Sequence, residues 1–171
     1  MEFVLSLVQN PRVFFERLKL NPVQWAVPCL LLFLLWLLSS FIPLLVGELP
    51  QKDLLASLIF NGFALLILLV CGLLLAGGAR ILEVLGFSVL PLLTAMSLIG
   101  GLWFFGDLAR GLGSLLTLLA LGLAFRSVLI GLTVMTQNPA MAWRTVLLAP
   151  LLTFGFMAVP FGLLVRWLGL A

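Results

Sequence analysis

Apolar runs of about 20 residues follow one another from residue 24 to residue 165, and nothing else in the sequence constrains the fold as strongly. They occupy residues 24–47, 54–77, 84–106, 112–136 and 140–165, separated by GELPQKD, GARILE, DLARG and QNPAM. As a helix, a run of that length crosses a hydrocarbon core, where every backbone N–H and C=O must be satisfied within the segment. The expected fold is therefore all-α, a polytopic bundle of five transmembrane helices. Composition agrees: 64% of the 171 residues are hydrophobic and 9% are charged, against about a quarter charged in soluble domains. Mean hydropathy is +1.33. Separators this short make neighbouring helices antiparallel and leave no room between them for a soluble domain. Glu2, Asn10, Pro11 and Arg12 interrupt the N-terminus too early for a signal peptide.

Residues 1–22 stand apart from the membrane domain, residues 23–171. In MEFVLSLVQNPRVFFERLKL, Val4, Leu7, Val8, Phe14, Phe15 and Leu18 recur at helical spacing, with Arg12, Glu16, Arg17 and Lys19 elsewhere. Such a segment suits an amphipathic helix in the membrane interface, with Arg12, Arg17 and Lys19 toward headgroups. Packing of the same stripe onto the end of the bundle is an equal alternative. Three Asn-Pro pairs, at 10–11, 21–22 and 138–139, read as helix starts, asparagine capping and proline in the first turn. Basic residues set the orientation. With the N-terminus in the cytoplasm, that side carries Arg12, Arg17, Lys19, Arg80 and Arg144 against Lys52, Arg110 and Arg166 opposite. The expectation is N-terminus inside and C-terminus outside.

Chemistry is narrowed by what is missing. The chain has no histidine and no tyrosine, which removes Ser-His catalysis and the HExxH zinc helix. Its carboxylates, Glu2, Glu16, Glu48, Asp53, Glu83 and Asp107, stand near run ends on opposite sides and do not suggest a convergent acid pair. Cys29 and Cys71 read as small apolar fillers. No enzyme, metal, cofactor or nucleic-acid partner is expected. Gly122, with Ala120, Ala124, Ser127 and Gly131, offers the fourth helix small surfaces for close packing. Pro28, Pro43, Pro91, Pro150 and Pro160 are expected to bend their helices.

The NPRVFFERL segment, the five runs, LLAGGARILEVLGFSVLP between runs two and three, and IGLTVMTQNPAMAWRTVLLAP between runs four and five resemble the Yip family. These are the Ypt- and Rab-interacting membrane proteins and their short prokaryotic relatives. In that pattern Gly86-Phe87 precedes Pro91 in the third run, and Gly131-Leu132 closes the fourth ahead of a polar turn and Arg144. The resemblance implies five spans, a cytoplasmic N-terminus and a role in membrane organisation or trafficking. The long soluble N-terminal region of the eukaryotic members does not precede these runs, so the resemblance favours a compact bacterial form in the plasma membrane over a eukaryotic endomembrane one.

Two function classes follow. One is a binding protein whose partners are membrane lipids, other proteins or further copies of the chain. The other is a small transporter, channel or lipid translocator. Arg126 separates them: it is the one charge deep inside a run, and an arginine near a helix centre costs about 3 kcal/mol on insertion scales. The expected partner is Glu83 on the same side, with Arg80 nearby. Ser88, Thr94, Asn61, Ser57, Ser39 and Ser40 could add polar contacts. These residues frame two readings, a structural arginine or a site for an anion or lipid headgroup.

Overall fold

The computed structural model describes residues 2–21, 23–45, 54–77, 80–102 and 107–167. Pro22, Lys52 and residues 46–47 and 103–106 of the expected runs lie outside them, as do the side chains of Val4, Arg110 and Arg166. The described chain is all-helical: α1 Glu2–Gln9, α2 Pro11–Leu20, α3 Ala26–Leu45, α4 Leu54–Leu75, α5 Ile81–Ser88, α6 Leu90–Leu102, α7 Asp107–Thr136 and α8 Pro139–Trp167. Among the described residues, three stretches are long and apolar enough to cross a membrane: Ser57–Leu75, Leu115–Thr136 and Pro139–Val159. Ala26–Phe41 and Ile81–Met96 are shorter apolar helices.

The expected third run is not one helix. It starts at Ile81 and breaks at Val89 into α5 and α6, because Pro91 has no N–H to continue the ladder. The other prolines of the described helices break none of them: Pro28 stands in the first turn of α3, where no donor is required, and the helices continue through Pro43, Pro150 and Pro160. The Asn-Pro pairs also diverge. Asn138 caps α8, its Oδ1 accepting the Met141 N–H at 3.2 Å. Pro11 opens α2 without a side-chain capping bond from Asn10, and Asn21 ends α2, its N–H donating to the Arg17 carbonyl. α3 begins four residues beyond Pro22, so that pair does not start it.

Around the N-terminal helices sits the main apolar core. Leu7, Phe14, Phe15 and Leu18 are buried against Ile81, Val84 and Phe87 of α5, Leu132 of α7 and Val146 of α8. The Phe14 ring meets Phe15 and Phe87 edge-on, with centroids 5.2 and 5.5 Å apart. Pro11, Phe14, Phe15 and Leu18 of α2 therefore face the bundle, leaving Arg12, Glu16, Arg17 and Lys19 exposed together with Val13 and Leu20.

Two glycines make this packing possible. A Cβ on Gly86 would lie 2.5 Å from Pro28 Cβ and 2.7 Å from its Cα, so α3 and α5 touch backbone to backbone. On Gly131 it would lie 2.8 Å from Phe15 Cζ and from Val84 Cγ1. Gly122 was expected to share this role and does not. It is exposed with nothing within 4 Å of its Cβ direction, because it falls off the buried stripe of Ala120, Ala124, Ser127 and Gly131.

Candidate functional site

Hydrogen bonds gather three chain segments at one end of the bundle. A helix ends with four carbonyls lacking partners, and a cation there is favourable. Arg80, just ahead of α5, serves α2 in this way. Its Nη1 donates to the carbonyls of Leu18 at 3.0 Å and Lys19 at 3.4 Å. The same guanidinium pairs with Glu83, Nε to Oε1 at 2.7 Å and Nη2 to Oε2. Lys19 in turn serves α7, Nζ donating to the Val134 carbonyl at 3.2 Å. This chain of contacts ties the end of α2 to the start of α5 and the end of α7.

Glu83 is thus held by Arg80, both of its oxygens engaged, and Arg126 is elsewhere. Arg126 is exposed and has no ion pair or hydrogen bond among the described residues. The register of α7 explains this. Gly131 faces Phe15 and Val84, and Arg126, five residues earlier, sits about 140° round the helix at 3.6 residues per turn. The other expected contacts are satisfied locally. Asn61 Nδ2 donates to Ser40 Oγ at 3.1 Å and Ser57 Oγ at 3.4 Å. Ser39 and Ser40 both donate to the Trp36 carbonyl, and Thr94 to Leu90. Of these bonds the one from Asn61 to Ser40 joins α3 to α4, the others stay within one helix, and none reaches α7. Ser88 Oγ is buried without a hydrogen-bond partner among the described residues.

Beside the tie lies an open groove of about 870 Å³. Arg12, Glu16 and Lys19 of α2 form one wall, Leu129, Ile130 and Thr133 of α7 the floor, and Trp143 of α8 the far side. Arg12 Nε donates to Glu16 Oε1 at 3.0 Å, both side chains being more than half exposed. The Trp143 ring lies 6.2 Å from that of Phe125, the neighbour of Arg126. Arg126 precedes Leu129 and Ile130 by three and four residues, the spacing that puts it on the same helix face. Arg17 points to the other flank of α2, lining a smaller groove of about 380 Å³ with Ser6, Asn10 and Asn21.

The chain matches no family model, no curated protein and no solved structure. Its geometry must carry the reading alone. Sequence reasoning named Arg12 and Lys19 as interfacial basic residues but did not foresee the groove they line with Trp143 and the α7 floor. The α7 residues were legible in principle, since 126, 130, 133 and 137 share one helical face. Trp143 was not, because its position depends on how α8 packs against α7. Among the described residues no group of acids, cysteines or histidines could hold a metal.

Proposed function

We propose that the chain is a five-span, non-enzymatic membrane protein of the Yip type, acting in membrane organisation or trafficking by binding lipids or proteins. α3, α4, the α5–α6 pair, α7 and α8 are the spans. The N-terminus is cytoplasmic and the C-terminus outside, in a bacterial plasma membrane, with α1 and α2 at the cytoplasmic interface. The observation that carries this reading is the two-faced setting of α2. Phe14, Phe15 and Leu18 anchor it in the core while Arg12, Arg17 and Lys19 stay exposed, which presents basic groups at one end of an apolar bundle. Basic residues beside spans favour the cytoplasmic, anionic side of a membrane. α5 and α6 together cover residues 81–102, about 33 Å of helix at 1.5 Å per residue and enough for one broken span.

Reconstitution into sealed vesicles tests the binding class against the translocator class. Ion, solute and lipid flux are expected to stay at the protein-free rate. Flux that requires Arg126 would overturn the reading.

A further inference from the structure

We propose that the groove between α2, α7 and Trp143 holds one anionic phospholipid, phosphate at the α2 wall and acyl chain along α7. This rests on the lipid-binding reading above and names its site and ligand.

Three features select that occupant. The first is charge. Arg12 and Lys19 line the groove against a single carboxylate, Glu16, which leaves one positive charge for an anion to balance, and Arg126 adds a further cation on the same α7 face. The second is free hydrogen-bonding capacity. Arg12 uses Nε on Glu16 and Lys19 uses one N–H on Val134, leaving donors on both groups for phosphate oxygens. Arg126 has all of its donors available among the described residues. The third is the apolar floor. Leu20, Leu129, Ile130 and Trp143 line the groove beside Thr133 and Gln137, apolar surface that suits a lipid's glycerol and chain region and adds no contact for a free phosphate. Its volume of about 870 Å³ lies within the usual range for small-molecule sites.

Arg126 lies eight residues from Val134, about 12 Å along α7. It thus stands below the mouth, where a guanidinium can reach upward beside its own aliphatic stem. A lipid seated in the groove gives this arginine an anionic partner that the described residues do not supply.

Native mass spectrometry of the full chain in detergent, offered equal phosphatidylglycerol and phosphatidylethanolamine of matched chains, tests the site. The wild type is expected to retain the anionic lipid preferentially. Arg12→Gln with Lys19→Gln should cut that preference by about tenfold, Arg126→Gln should cut it by a smaller factor, and Lys19→Arg should keep it. Lys19→Gln also gives up the bond to the Val134 carbonyl, so the double variant should stay folded but melt slightly below the wild type, and Lys19→Arg, which keeps a donor there, should restore the melting temperature. A wild-type preference that survives both the double variant and Arg126→Gln overturns this site and leaves lipid binding elsewhere on the protein intact. Equal retention of both lipids by the wild type overturns the site and the lipid-binding reading together. Displacement of the lipid by millimolar inorganic phosphate would make the groove a soluble-anion site and overturn the proposal.

Discussion

Glycine at residue 86 and glycine at residue 122 look alike in sequence and differ in consequence. The missing Cβ of Gly86 leaves room for the Pro28 backbone, which cannot move aside as a side-chain tip could. Gly86→Ala should therefore lower stability by about 1–3 kcal/mol, as overpacking does. Gly122→Ala meets open space and should be neutral or stabilising by up to about 1 kcal/mol through helix propensity. Thermal unfolding of both variants in detergent checks the contrast, and equal effects would refute the close α3–α5 contact. Arg126 belongs to the same scale. Exposed and unpartnered among the described residues, it is not a lock on the fold, so Arg126→Gln should leave stability within about 0.5 kcal/mol of wild type in the same measurement.

At the level of elements, α2 is held by opposite devices on its two sides. Phe14, Phe15 and Leu18 enter the core, while Arg80 and Lys19 join helix ends that would otherwise leave carbonyls unpaired. Arg80→Gln removes the cation beside Glu83, whose side chain is only 13% exposed, and strips the donor from the end of α2. The expected loss is about 1–3 kcal/mol, below that of a fully buried pair because Arg80 is partly exposed. Hydrogen exchange should locate it, with amides of residues 12–20 exchanging faster in the variant. Adding Glu83→Gln should recover part of the stability by removing the stranded charge. Unchanged exchange in α2 would show that the aromatic packing alone holds it.

Over the whole molecule, contacts bring the end of α2, the residues before α5 and the α7–α8 turn to one end. Arg80 binds Leu18, Lys19 binds Val134, and the Gly77 Cβ direction meets Met141. Reporters inserted at residues 78–79 and at residue 137 should consequently report the same compartment, and a reporter after Ala171 the opposite one. The all-helical class was legible in the sequence, because transfer free energy and the demand for internal backbone hydrogen bonds act on each apolar run by itself. Helical periodicity also separates the exposed Arg12, Arg17 and Lys19 from the buried Phe14, Phe15 and Leu18, but it did not foresee that Val13 and Leu20 stay exposed beside them. The break at Val89 needed only proline chemistry, yet the same chemistry left Pro150 and Pro160 inside an unbroken α8. Partner choice was not legible. Glu83 suits Arg126 by charge and side, but Arg80 is three residues away and α7 turns Arg126 outward. A charge, a length and a period are local properties that the sequence determines by itself. Which face of α7 meets α5, and hence whether Arg126 meets Glu83 or opens beside a groove, is decided only when Gly131 closes on Phe15 and Val84, a contact between residues far apart in the chain.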